Sequence, residues 1–506
     1  MTSQPLLLHD LLAQHAANDK VAVMDRDDTI AYTAMWDLAQ RYANALVEAG
    51  LKRGDRVAIF LPRGIEESVA IFAVSLASGV FVPVNMLLRG QQIAHIITDC
   101  DARIIITDHK HLSIVPDCVA GQADVTILVV EDMSATEAQS VRPQNIGEDL
   151  AGILYTSGST GRPKGVMLSH RNLLAGTRIV RTYLGISARD RILSILPFSF
   201  DYGLNQLLTS VEQGATISIL SFRFGDEIVQ ALRDQEITAL AGVPTVWAIL
   251  TRAAPLLPKT KLPHLRYITN SGGAVPSQTV ADLRRLLPST DIYLMYGLTE
   301  AFRSTYLPPD ELDRRPTSMG KAIPESEIFV ITADGRRAAP GEPGILVHRG
   351  PTVSLGYWNR PDDTAKVLKP HPFRRPEQGG DVVCYSGDLV VEDEEGFFSF
   401  IGRTDAMIKS SGYRISPSEV EEALMATGNF RQVAVIGIPD AVAGQRVHAV
   451  AVPMDKPLDV NAVLRTISME LASYMVPKAI ELVNSLPVTP NGKVDYRQLL
   501  SQRVSI

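Results

Sequence analysis

Leu154-Tyr155-Thr156-Ser157-Gly158-Ser159-Thr160-Gly161-Arg162-Pro163-Lys164-Gly165 is the stretch on which the reading of this chain turns. The apolar segment before it, Ala151-Gly152-Ile153-Leu154, reads as a strand. Val166-Met167-Leu168-Ser169-His170 follows, and then a helix-like run. A loop rich in Gly, Ser and Thr therefore sits where a strand ends. With few Cβ atoms, its backbone can approach a ligand closely. Its N–H groups and hydroxyls can donate to phosphate oxygens, and Arg162 and Lys164 add positive charge. A solvated turn is the commoner account of a bare Gly/Ser loop, but interleaved hydroxyls and two cations behind a strand weigh against it. The Walker pattern does not fit, because Lys164 is followed by Gly165 and no hydroxyl stands there to hold magnesium.

At 506 residues the chain is long enough for about three domain-sized units. Its 45% hydrophobic and 21% charged residues are those of an ordinary globular protein. The net charge of −7 is spread along the chain, with no clustered Lys/Arg surface for nucleic acid. Cys100, Cys118 and Cys384 are widely spaced; they form no metal pattern, and their odd number argues against a disulfide framework. Asp10 interrupts the first apolar run, so no signal peptide is expected. No run of about 18 apolar residues appears, so neither is a membrane span. A cytoplasmic protein is expected.

Outward from the loop, strand-like and helix-like runs alternate. Val57–Leu61, Glu66–Ala77 and Val80–Val84 read as strand, helix, strand. Gln91–Thr98 reads as a helix, and Ile104–Ile106 and Val125–Val130 as strands. Downstream, Arg191–Leu196, Thr216–Leu220, Ala239–Val243, Tyr267–Asn270 and Ile292–Met295 are candidate strands. The alternation predicts a mostly parallel sheet covered on both faces. From Ile328 the strands shorten between Gly, Pro and Asp turns, which suggests a small antiparallel, barrel-like region. Pro417–Thr427 and Val460–Met475 read as helices, with Val433–Ile438 and Val447–Val452 as strands. A boundary near Asp405 divides the chain into 1–404 and 405–506.

Four further segments carry possible chemistry. Tyr296-Gly297-Leu298-Thr299-Glu300 follows a strand-like run, where ligands of α/β sheets bind. There an aromatic can stack on a purine, a Thr can bond phosphate and a Glu can hold magnesium; alone, it would pass for a turn opening a helix. Asn270-Ser271-Gly272-Gly273-Ala274 and Tyr385-Ser386-Gly387-Asp388 would alone be turns. Pro487-Val488-Thr489-Pro490-Asn491-Gly492-Lys493 carries a lysine at an Asn-Gly turn tip, normally a solubilising surface residue.

Taken in order, these segments resemble the adenylate-forming superfamily of acyl-CoA synthetases, amino-acid adenylation domains and luciferases. The resemblance implies an α/β fold. Its large N-terminal domain has mostly parallel sheets covered by helices plus a small β-barrel-like region; its small C-terminal domain is α+β and mobile. It implies that Thr156, Ser157, Gly158, Ser159, Thr160, Gly161 and Lys164 hold phosphates. Gly272, Gly273 and Ala274 would line the adenine, with Tyr296 and Gly297 beside it. Asp388 would take the ribose hydroxyls and Arg403 would lie near the nucleotide. Thr299, Glu300 and Lys493 would be catalytic, Glu300 as the Mg2+ ligand, and Asp405 would be the hinge. The implied reaction joins a carboxylic acid to AMP from ATP, then hands the acyl group to a phosphopantetheine thiol.

For the acid, Phe200-Asp201 resembles amino-acid adenylation domains, in which that Asp pairs the substrate ammonium. A pocket carboxylate is costly unless paired. The same resemblance lines the pocket with Tyr202, Asn205, Ala241, Ile268, Asn270, Met295, Arg303 and Ser304, a polar set that suits a small or polar amino acid. Arg303 would either meet an acidic substrate group or pair with Asp201. Phe198–Gly203 and Met295–Pro309 look like exosortase-associated ligases and free-standing prolyl-carrier-protein ligases. No room for a carrier domain follows Lys493, so an external thiol is expected, on a separate carrier protein or on CoA. An acyl-CoA ligase for a small carboxylic acid is the alternative reading.

Overall fold

A computed structural model describes residues 5–504 except 89, 116–124, 157–162, 379–381, 404–405, 411–412, 441–443, 456 and 472–473. Three sheets organise it. The first has six strands in the order Thr126–Val129, Ala102–Thr107, Arg56–Ile59, Val80–Pro83, Leu150–Thr156, Lys164–Ser169. Neighbours pair in parallel except the last two, which form an antiparallel hairpin. The central strands are apolar at nearly every position because both faces are covered. Helix Ile65–Leu76 is likewise apolar on most sides, and ten of its residues are buried.

The second sheet has fourteen strands. Val21–Asp25, Thr216–Ile219, Arg191–Ser194, Ala239–Gly242, Tyr267–Asn270 and Asp291–Tyr296 form its parallel part. Beyond Asp291–Tyr296 the pairing turns antiparallel, through Thr305–Leu307, Ser318–Ala322, Phe398–Arg403, Val382–Glu392, Gly344–Arg349 and Glu327–Ile331. The short antiparallel strands expected after Ile328 are there, hydrogen-bonded on to the parallel ones. The third sheet has five strands, all after residue 407, with Phe430–Asp440 and Gly444–Pro453 as its long pair. Helix Pro417–Ala426 packs on it, opening with proline where a missing N–H costs nothing.

Lys164–Ser169 folds back on Leu150–Thr156 as a hairpin, and the helix-like run expected after it is His170–Leu184. One local expectation is corrected. Helix Val460–Ile467 stops well short of Met475; Met469 just beyond is 82% exposed, so no apolar stripe carries the helix on. Among the described residues no helix is long and apolar enough to cross a membrane.

Candidate active site

Three parallel strands end side by side, with Gly242 opposite Asn270 and Asn270 opposite Leu294. The Asn270 side chain locks the turn that follows. Its Oδ1 accepts from Trp247 Nε1 at 2.9 Å, and its Nδ2 donates to the Gly273 carbonyl at 3.0 Å. Gly272 has φ +84°, and a Cβ there would stand 2.7 Å from Lys493 Cε. The turn expected to face adenine thus also makes room for the lysine of the C-terminal tip loop. That loop is held by two polar contacts: Thr245 Oγ1 donates to the Gly492 carbonyl at 2.7 Å, and Asn85 Nδ2 to the Pro490 carbonyl at 3.2 Å. Lys493 Nζ lies 4.7 Å from the centre of the Phe200 ring. Desolvation lowers its pKa, while the negative charges of Asp201, Glu300 and Asp388 act in the opposite sense. One lysine therefore feels three carboxylates that the sequence places far apart.

Several of the expected nucleotide-binding residues are brought together by hydrogen bonds. The Tyr296 hydroxyl donates to the Asp388 carboxylate, whose other oxygen accepts from Arg403 Nη1 at 3.1 Å. Burial, then Asp388, pushes the Tyr296 hydroxyl well above its ordinary pKa, so it remains a donor. A Cβ on Gly297 would come 3.2 Å from Arg303 Cα. Gly273 and Ala274 are exposed at their strand end. Thr299 and Glu300 form one short turn, and Glu300 Oε1 accepts from Tyr357 Oη at 2.6 Å. Lys164, expected at phosphate, is in an ion pair with Asp363 at 2.8 Å; hydrogen bonds from it and from Lys366 hold the Asp363 carboxyl down to about 2. Thr156 ends its strand beside Lys164. Ser157, Gly158, Ser159, Thr160 and Gly161, and the hinge residue Asp405, lie outside the described residues.

The acid-binding candidates surround a buried ion pair. Asp201 opens helix Asp201–Gln213, next to the ring that carries Lys493, and Asn205 lies one turn along the same face. Arg303 Nη1 donates to Asp201 Oδ2 at 3.2 Å and to the Phe302 carbonyl at 2.7 Å. Of the two possibilities left open for Arg303, pairing with Asp201 is realised. Its guanidinium also stands 5.0 Å from the Tyr202 ring centre. The Tyr202 hydroxyl donates to the Thr269 carbonyl at 2.8 Å. Ser304 Oγ lies 2.9 Å from Nδ1 of His348, an imidazole that burial lowers to about 3 and so keeps neutral. Ala241, Ile268 and Met295 are buried, and Met295 Sδ accepts from Tyr183 at 3.1 Å.

A family profile described as AMP-binding enzyme matches residues 12–358, and one described as AMP-binding enzyme C-terminal domain matches 419–493. The chain belongs to the AMP-binding enzyme family. It is 32% identical over 504 residues to one of the proteins that make up the linear gramicidin synthase of Brevibacillus parabrevis, spanning 98% of itself but only 6% of that protein. It is 29% identical to a long-chain-fatty-acid–CoA ligase of Salmonella typhimurium, over 96% of this chain and 93% of that one. Among solved structures, ATP-bound MatB from Rhodopseudomonas palustris is similar with a TM-score of 0.88 at 28% identity, covering 98% of both chains. The o-succinylbenzoate CoA synthetase of Bacillus subtilis, in complex with its acyl-adenylate intermediate, is similar at 0.85 and 25% identity over 98% of both.

This AMP-binding enzyme is an AMP-forming ligase, and ATP and Mg2+ are implied by its family. Among the described residues no group of three or more His, Cys, Asp or Glu is placed to hold a metal. Magnesium carried on nucleotide phosphates keeps waters and needs only one or two carboxylates. Glu300 fits the part: Tyr357 fixes one of its oxygens, and no described side chain hydrogen-bonds the other. When bound, the cation would neutralise charge on the phosphates. Tyr357, Asp363, Thr245 and Asn85 escaped the sequence reading. Leu355-Gly356-Tyr357-Trp358-Asn359-Arg360-Pro361, dense in Gly, Pro and aromatics, was the available signal for the first two; Thr245 and Asn85 leave none.

Proposed function

We propose that this ligase activates a small or polar amino acid and passes it to the phosphopantetheine thiol of a separate carrier protein. The carboxylate oxygen attacks the α-phosphorus of ATP, the bond to pyrophosphate breaks, and an aminoacyl-AMP results. The thiol sulfur then attacks the acyl carbon, losing its proton, and AMP leaves. No protein nucleophile is required; Lys493 offsets charge building between the carboxylate and the α-phosphate.

Asp201 carries the amino-acid reading. It is a 4%-exposed carboxylate one residue from the ring under Lys493, which supports a place beside the substituents of a bound acid. Among the described residues its one hydrogen bond comes from Arg303, which leaves acceptor capacity for an ammonium. The likeness to linear gramicidin synthase supports this. A second reading, a CoA ligase for a small carboxylic acid, is favoured by the same ion pair, since Arg303 already balances the charge of Asp201.

Pyrophosphate exchange separates the two. L-alanine, L-serine and L-proline are expected to stimulate exchange where propionate and lactate do not. If only the acids lacking an amine do so, Asp201 is no ammonium site. For the acceptor, thioester formation with CoA alone, at the rate of adenylation, would remove the carrier protein from the scheme.

A further inference from the structure

Arg303 is 1% exposed, and only one corner of its guanidinium is used. Nη1 makes both of its bonds, to Asp201 and to the Phe302 carbonyl. Nε and Nη2 are buried and have no partner. Those two nitrogens form the edge of the guanidinium that presents parallel N–H groups to a planar anion. Asp201 does not engage that edge. A buried cation with its fork unfilled is costly to leave so, and native proteins seldom do.

The surroundings hold the residue in this state. Phe302 has φ +36°, a conformation a bulky residue avoids, and the Arg303 N–H bonds back to the Ala301 carbonyl across this tight turn. The Phe302 ring fills the space a Cβ on Gly176 would take, 2.3 Å from its Cδ1. Thr352 Oγ1 donates to the Arg303 carbonyl at 3.2 Å. Arg303 pairs with Asp201, the residue next to the Phe200 ring beneath Lys493, so it borders the same space. Asn205 adds another buried, unpartnered donor, its Nδ2, on the helix face of Asp201.

We propose that the Nε–Nη2 edge of Arg303 receives a second carboxylate of the acid substrate, so that the acids preferred by this enzyme carry two carboxyl groups. One is activated beside Lys493; the other is read by Arg303 and stays intact. The inference rests on the adenylation reading of the site but not on the amine: with Asp201 taking an ammonium the substrate is an acidic amino acid, and without it a plain dicarboxylic acid.

The test compares acids of equal shape and different charge in pyrophosphate exchange by the full chain with Mg-ATP: L-aspartate with L-asparagine, L-glutamate with L-glutamine, and succinate with succinamate. In at least one pair the diacid is expected to exceed its amide by tenfold or more in kcat/KM. Arg303→Lys keeps a cation for Asp201 but loses the fork. It is expected to raise KM for the diacid at least tenfold and leave KM for ATP and the maximal exchange rate near their original values. Amides matching or exceeding every diacid would overturn the proposal, as would exchange with none of the six acids. Arg303→Lys shifting the ATP and acid constants together would mark a structural role and also overturn it. Succinate active with aspartate inert would sink the amine and spare Arg303; asparagine active with aspartate inert would do the reverse.

Discussion

Lys493 reaches its place because Gly272 has no side chain to meet it. Gly272→Ala puts a methyl group 2.7 Å from Lys493 Cε at a backbone position with φ +84°. Adenylation by that variant, measured as pyrophosphate exchange, is expected to fall by about tenfold or more, in line with a displaced catalytic group. Lys493→Ala is expected to lose about 100-fold or more in the same assay, while thioester formation from preformed adenylate stays largely intact. Equal loss in both half-reactions would contradict the role given to the lysine. Tyr357→Phe removes the hydroxyl that fixes Glu300. The Mg2+ concentration for half-maximal exchange is expected to rise about tenfold, the usual effect of losing a group that orients a metal ligand; an unchanged titration would show that Glu300 needs no such support. The segments that carry Lys493, Tyr296, Asp388 and Asp201 stand out in the sequence because each is short and contiguous and so can be matched to a family motif. Tyr357 and Thr245 could not: they act through hydrogen bonds to residues 57 and 247 positions away, and such partners exist only once the chain has folded.

Helix Ile65–Leu76 was readable for a different reason. A run apolar on most sides, between two apolar strands, has one stable location, between a sheet and the helices over it. Its buried carboxylate, Glu67, is 4% exposed, and burial raises its carboxyl from 4.5 to about 8, Arg63 countering only in part. The folded chain therefore holds a proton there that the unfolded chain has lost. Stability is expected to fall as pH rises from about 4.5 to about 8, and to level off above. Glu67→Gln, neutral throughout, should flatten that decline. At pH 8.5 it should melt about 1–2 °C above the parent, with the difference vanishing near pH 4.5; the opposite ordering would mean Glu67 is charged in the fold. The hairpin partner Lys164–Ser169 illustrates the limit of such reading. Its pairing to Leu150–Thr156 is decided by register across a loop, and the short run alone has no preferred neighbour.

At the scale of the molecule, the C-terminal sheet and its helices meet the larger body through a few polar contacts. Besides the tip loop, Arg252 donates to the Phe430 carbonyl and Ser277 to the Glu422 carboxylate. Such an interface is of the kind that separates and re-forms. If rotation about Asp405 connects the two half-reactions, Asp405→Pro, with one backbone angle fixed, is expected to keep pyrophosphate exchange within about threefold and lose most thioester yield. Normal yield would place the pivot elsewhere. The mostly parallel sheet followed from the alternation of strands and helices, and the division into a large and a small part from the family resemblance. The docking of the tip loop did not, since its hydrogen bonds involve a main-chain carbonyl that any sequence would supply.

The seat of Lys493 bears on how the cycle is timed. Its ammonium rests on an aromatic face, and among the described residues no carboxylate lies within ion-pair distance of it. Withdrawing it strips no counter-ion from the interior. Attraction to the reacting anions adds to the pull of the three more distant carboxylates and to the two hydrogen bonds of the tip loop, and that added part weakens when pyrophosphate departs. Product loss itself would loosen the latch.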